Sequence, residues 1–237
     1  MNILLIGNSY SVDATRYLHR IARADKVDIT TACIYIGGCP LERHFRNMHS
    51  EKDAYNLFMN GEECGFFVSL KEALVNRSWD VITLQQASFE SFDFKNYEPY
   101  LTVLSEYIRT LCPNAKIYIH QTWCDNVDSP RLEGFGFSDS KGMLAEIIKA
   151  YDKACKEIKA DGIIRSGELI YSLYENGLNP VWRDHGHVSY GIGRLAVGLL
   201  WYKTLTGNDI MKNTFCDTDE PVSEKELEII KKCVNSI

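Results

Sequence analysis

Short apolar runs alternate along this chain with stretches of helical periodicity, and that alternation constrains the fold more than any other feature. Residues 3–6, 27–36, 79–84 (WDVITL), 116–120 (KIYIH) and 162–164 read as five strands. Helical patterns lie between and after them, at about residues 13–24 and over 69–76, 97–111, 141–159, 190–205 and 223–234. The last opens with Ser223 and Glu226 in capping-box spacing. Strands that are apolar throughout, separated by helices, imply a parallel sheet covered on both faces. Right-handed crossovers then give a three-layer α/β domain. The chain has 237 residues, 45% of them hydrophobic. That suffices for one substantial core and is short for two, so a single domain over residues 1–237 is expected. No internal repeat or low-complexity tract interrupts it.

Two connections are long. Residues 37–66 include GGCPLERHF and the turn-like NGEECG, and residues 123–140 are rich in Gly, Asp and aromatics. Long connections in a compact domain are usually functional or disordered, and these read as packed, substrate-facing loops.

Charge excludes some functions. The net charge is −6 and no Lys/Arg cluster is dense, which argues against a nucleic-acid footprint. No apolar run approaches the roughly 18–20 residues of a membrane span. The first residues lead straight into a strand pattern, with no basic n-region or cleavage site, so the expectation is a soluble, cytoplasmic protein. The eight cysteines (33, 39, 64, 112, 124, 155, 216 and 233) form no C-x-x-C and read as reduced, structural thiols. Oligomeric state leaves no mark in the sequence.

The chemistry sits at strand ends. In an open α/β sheet, ligands bind beyond the carboxyl ends of the strands where strand order reverses. The first strand ends in GNSYS, residues 7–11. Gly7 permits a tight turn, and Ser9 falls near the start of the next helix, where the helix dipole favours negative charge. The competing reading makes Ser9 or Ser11 a helix N-cap only. Near the other end, WRDHGHVSY places Asp184 three residues before His187, on one side of a turn. Asp184 can then hold one ring nitrogen and leave the other to act as a base, as a serine nucleophile requires. The competing reading is a surface loop with Ser189 capping the following helix. Gly38, after the second strand, lets a backbone N–H approach a ligand. After the third strand, Gln85 or Gln86 offers a side-chain N–H suited to an oxyanion. With strand order 2-1-3-4-5, Ser9, Gly38 and Gln85 converge in one crevice, and the C-terminal loop can bring Asp184 and His187 over it. Tyr10, Gln86, His120 and Trp123 are candidates for the pocket, with a hydrogen-bonded core position the stronger reading for His120. Arg183 reads as a surface ion pair rather than a receptor for a substrate carboxylate.

This combination resembles the SGNH hydrolases, the GDSL-like esterase superfamily, over nearly the whole chain, and in its GNSYS, LQQAS, IHQTW and DHGH blocks it looks like a bacterial branch of it. The resemblance implies a flavodoxin-like three-layer fold with about five parallel strands. It implies a hydrolase with a catalytic triad and a serine nucleophile, working through an acyl-serine intermediate without metal or organic cofactor. Residue by residue, Ser9 corresponds to the nucleophile, His187 to the general base and Asp184 to its orienting acid. The N–H groups of Ser9 and Gly38 correspond to oxyanion donors. The family's third block usually reads G-x-N-D and supplies an asparagine; here LQQAS stands in its place, with Gln85 the closer match and Gln86 the alternative. Family analogy favours acetyl or other short-chain esters, carried by a small molecule or a carbohydrate, hence an acetylesterase. Three other readings compete: a flavodoxin-like phosphate- or nucleotide-binding module using the GNSYS turn, a metal site built on His185 and His187 with Asp184 and Asp125, and a non-catalytic carbohydrate-binding protein.

Overall fold

The computed structural model describes residues 1–237. In chain order the elements are β1 (Asn2–Gly7), α1 (Ser9–Thr15), α2 (Leu18–Ala24), β2 (Thr30–Tyr35), α3 (Leu41–Ser50), β3 (Tyr55–Met59) and β4 (Glu62–Val68). There follow α4 (Leu70–Val75), β5 (Val81–Leu84), α5 (Tyr100–Leu111), β6 (Lys116–His120), the one-turn α6 (Arg131–Gly134) and α7 (Ser140–Glu157). The chain ends with β7 (Gly162–Ile164), α8 (Ser166–Glu175), α9 (Ile192–Thr206) and α10 (Glu224–Ser236).

One mixed sheet of seven strands runs β4-β3-β2-β1-β5-β6-β7. The five strands read from the sequence are all present and mutually parallel, in the spatial order expected of them. The count of five needs correcting: an antiparallel hairpin, β3–β4, extends the sheet beyond β2. Its loop is Asn60-Gly61, both at positive φ (52° and 85°), as a two-residue type I′ turn demands. The turn was visible in NGEECG, but its strands were not. β4 is the open edge, and its Phe66 and Phe67 are 53% and 60% exposed, so no alternation of buried and exposed residues marks it.

In β1, Ile3, Leu4, Leu5 and Ile6 are all fully buried. The strand is central and covered on both faces, which is why its sequence is apolar without alternation. On one side, α9 packs against α1, α2, α8 and α10; on the other, α3, α4 and α5 pack together, and α7 lies against β6 and β7. The helix expected over residues 13–24 is two helices, starting earlier, at Ser9. At the break the Tyr17 hydroxyl donates to the Tyr190 carbonyl (2.5 Å) and accepts from the Asp219 N–H (2.8 Å), tying this corner to the C-terminal region. The stretch 37–66 is mostly α3 and the hairpin rather than a substrate-facing loop. The Ser223–Glu226 capping box forms as read, at the start of α10. No helix is long and apolar enough to cross a membrane.

Candidate active site

The carboxyl ends of β2, β1 and β5 meet, and Asn8 joins them. It caps α1: its Oδ1 accepts from the Tyr10 N–H at 3.1 Å and from Gln85 Nε2 at 2.7 Å, while its Nδ2 donates to the Cys39 carbonyl at 3.3 Å. With Asn8 as the cap, Ser9 is the first residue of α1 and its hydroxyl is free for another partner. Gly7 is required by close approach rather than by a turn: a Cβ there would lie 2.2 Å from Ser11 Oγ and 2.9 Å from Gln85 Oε1.

The Ser9 hydroxyl faces His187 Nε2 at 2.8 Å, and His187 Nδ1 lies 2.8 Å from Asp184 Oδ2. Since Asp184 accepts from the Nδ1–H, Nε2 is the acceptor for the serine proton. The other Asp184 oxygen accepts from the N–H groups of Gly186 (2.8 Å) and His187 (2.7 Å). Partial burial pushes the Asp184 carboxyl up, but these backbone hydrogen bonds and the His187 imidazole outweigh it and hold the group at about 2. Asp184 is therefore an anion across the neutral pH range.

The loop carrying this acid and base is held from two directions. A short antiparallel bridge joins Trp182 to Val188. From the segment after β6, Trp123 Nε1 donates to the Gly186 carbonyl (2.6 Å) and the Asn126 N–H to the His185 carbonyl (2.8 Å). From α1, Asp13, 1% exposed, accepts from Arg183 Nη1 (2.9 Å) and Arg194 Nε (2.8 Å). Arg183 is thus neither a surface pair nor a substrate receptor; it anchors the loop to a buried carboxylate.

The cleft over Ser9 measures about 420 Å³ and is lined by Asn8, Ser9, Tyr10, Gly38, Ser88 and Phe89, and by Arg131 and residues 184–187. Gly38 sits at φ +59°, and no acceptor within the protein takes its N–H.

The two glutamines do not reach this cleft. Gln85 is 2% exposed. Its Nε2 donates to Asn8, and its Oε1 accepts from the Ser11 hydroxyl and from His120 Nδ1 (3.0 Å). Gln86 Oε1 accepts from the Leu41 N–H (3.0 Å) and its Nε2 donates to the Asn96 carbonyl (2.8 Å), fixing the start of α3. The expectation of a glutamine oxyanion donor is corrected on this geometry. Of the pocket candidates, Tyr10 lines the cleft. His120 is core, its imidazole pushed down to about 3 by burial, and Trp123 is fully buried, stacked under Tyr10 with ring centroids 4.2 Å apart. Burial pushes the Tyr10 phenol up and the neighbouring Ser88 hydroxyl pulls against that, although no partner meets hydrogen-bond geometry with the Tyr10 oxygen. Both nitrogens of His187 are engaged and Asp125 is held by Arg131, so the His185–His187 pair gathers no set of three metal-ligating side chains.

Over residues 2–236 the sequence matches the family described as a domain of unknown function, DUF4886. The chain belongs to the DUF4886 family. A crystal structure of a DUF4886 protein from Bacteroides uniformis superposes with a TM-score of 0.91 at 28% identity, covering 100% of this chain and 93% of that one. A protein from Parabacteroides merdae described as a GDSL-like lipase gives 0.59 at 15% identity, covering 87% of this chain and 95% of its own. A family 3 carbohydrate esterase from Clostridium thermocellum gives 0.51 at 15% identity, covering 86% and 94%. At such identities the last two show a shared fold. Comparison with curated proteins gives no match.

Within this DUF4886 chain, the site residues that sequence reasoning missed are Asn8, Ser88, Phe89 and Arg131. Asn8 had a signal, since Asn is a preferred N-cap directly before a helix. Arg131 lies in the stretch 123–140 read as a substrate-facing loop, and it lines the cleft, as that reading expects, without having been singled out; Ser88 and Phe89 follow β5 without periodicity and carried no signal.

Proposed function

We propose that the protein is a serine ester hydrolase acting on acetyl or other short-chain esters through an acyl-serine intermediate. The observation that carries this reading is the relay of two 2.8 Å contacts, His187–Asp184 within one turn and Ser9–His187 between residues 178 positions apart in the chain. The Ser9 oxygen attacks the ester carbonyl as His187 Nε2 takes its proton. Asp184, already anionic, stabilises the imidazolium that forms. In this reading the N–H groups of Ser9 and Gly38 receive the developing oxyanion. His187 returns the proton to the leaving alcohol, then activates water to release the acid. No step calls for a cofactor. The cleft suits a small acyl group: only two of its lining side chains, Tyr10 and Phe89, are hydrophobic, which is little to hold a long acyl chain. A polar leaving group, such as a sugar hydroxyl, suits the remaining walls.

The test is active-site labelling. A fluorophosphonate should modify Ser9, located by peptide mapping. Ser9→Ala should lower hydrolysis of p-nitrophenyl acetate by more than about 10⁴-fold with its melting temperature preserved. Label on another residue, or turnover surviving in Ser9→Ala, overturns the reading.

A further inference from the structure

Arg131 is the one permanent cation in the lining of the cleft. It is held in place from behind: Nε and Nη2 donate to the two oxygens of Asp125, each at 2.7 Å. Asp125 is 1% exposed, and Ser129 Oγ donates to it at 2.9 Å. A bidentate pair of this kind fixes the plane of the guanidinium. It occupies one edge of the fork. The Nη1 end has no acceptor in the protein, and the Arg131 side chain is 43% exposed. The relay loop makes room for it. A Cβ on Gly186 would lie 2.7 Å from Arg131 Nη2 and 2.8 Å from the Tyr10 hydroxyl. The two polar heads therefore converge on one spot, next in sequence to His187. The Tyr10 oxygen is buried there with the Ser88 hydroxyl beside it but no partner in hydrogen-bond geometry, although Tyr10 itself borders the cleft.

We propose that Arg131 and Tyr10 form an anion-recognising subsite beside Ser9 and His187, and that the preferred substrates are esters bearing a carboxylate within a few bonds of the scissile carbonyl. This substrate class rests on the ester-hydrolase reading. A carboxylate fits better than a phosphate dianion. Its two oxygens match the open Nη1–Nη2 edge, and a second negative charge would find no other Lys or Arg in the lining. The Asp184 anion shares the cleft, but its oxygens are already taken by His187 and two backbone N–H groups. A hydrogen bond to a charged group is worth roughly tenfold or more in equilibrium terms. Because Asp125 balances part of the Arg131 charge, we expect the low end of that range.

The experiment uses matched pairs of esters. On the leaving-group side they are para-acetoxybenzoate and its methyl ester; on the acyl side, mono-p-nitrophenyl glutarate and its methyl ester. The wild type should favour the anionic member of at least one pair by about tenfold in kcat/KM, and the pair that responds locates the carboxylate. Arg131→Met alone would strand a buried Asp125 anion and risk the fold, so the variant is the double Asp125→Asn/Arg131→Met. It should erase the preference. Tyr10→Phe, which disturbs no charge, should reduce it by about threefold. Equal rates within both pairs, or a preference that survives the double variant, overturn the subsite. If the wild type cleaves none of the four esters, the hydrolase reading fails and calorimetric binding of para-acetoxybenzoate against its methyl ester decides the subsite separately. Selective binding of the anion that the double variant loses sustains it, and unselective or undetectable binding overturns it.

Discussion

Replacing Gln85 with methionine separates two roles that the same residue could have. Met fills much of the same volume, so the change removes hydrogen bonds without opening a large cavity. In the structure Gln85 is a strut: it donates to Asn8 and accepts from Ser11 and His120, behind the cleft. Asn8 Oδ1 would keep the Tyr10 N–H, but the Ser11 hydroxyl and the His120 Nδ1–H would be left as buried donors. Each orphaned group costs about 1–3 kcal/mol, so the pair should destabilise the fold by about 4 kcal/mol. The entropy of unfolding for 237 residues is about 0.5 kcal/mol/K. The melting temperature should therefore fall by about 8 °C, readable by calorimetry. Turnover should fall less than about tenfold, because Ser9, His187 and both backbone donors remain. An oxyanion donor behaves in the opposite way, with kcat lost by about 10²–10³-fold and little change in stability. A Gln85→Met protein with an unchanged melting temperature and a hundredfold loss of kcat would refute the strut and restore Gln85 to the oxyanion hole.

Two further substitutions probe the loop that carries the base. Asp13→Asn removes the buried anion facing Arg183 and Arg194; it should cost about 3 kcal/mol, lower the melting temperature by roughly 6–12 °C, and cut kcat by about tenfold as the loop loosens, whereas a loss of stability with full turnover would show that the anchor does not position His187. Asp184 contributes stability that depends on pH. Its folded value, about 2, lies below the ordinary aspartate value of about 3.9, so the unfolded chain takes up the proton first as the pH drops. That contribution should be complete above about pH 4 and fade toward pH 2, and the gap in melting temperature between wild type and Asp184→Asn should close over the same window; a gap that stays constant to pH 2 would refute the assignment.

How far the sequence could be read follows from which interactions are local. Ser9 was legible because a glycine-ended apolar strand followed by a helix puts the intervening residues at a sheet edge whatever the rest of the chain does. Asp184 and His187 were legible because an acid three residues before a base meets it within a single turn. The direction of Gln85 was not legible. It lies past the last strand residue, where alternation ceases to say which way a side chain points, and its partners come from two other segments, the start of α1 and the end of β6. Arg183 was misread in the same way, since its partner Asp13 looks in the sequence like any surface carboxylate, and nothing local pairs Arg131 with Asp125. The hairpin was missed for a different reason. An edge strand with both faces partly wet shows no periodicity, so only its turn carried a signal. α8 and α3 were passed over because polar residues dilute their apolar spacing, although Leu169, Ile170 and Leu173 in one and Leu41 and Met48 in the other are buried.

The buried Asp13 also explains how Ser9 and His187, so distant in sequence, keep a 2.8 Å contact. Asp13 lies four residues after Ser9 on the same short helix, about one turn away. Arg183, which it binds, lies four residues before His187, and the Trp182–Val188 bridge closes the loop between them. The relation between Ser9 and His187 is therefore set by one helical turn, one ion pair and one bridged loop, rather than by the path of the intervening chain. The segment after β6 adds the second constraint through Trp123 and Asn126, stopping the loop from swinging about the ion pair. Strand ends alone fix only Ser9 and the Gly38 N–H. His187 arrives by a separate route, and Asp13 registers it to the helix that carries Ser9.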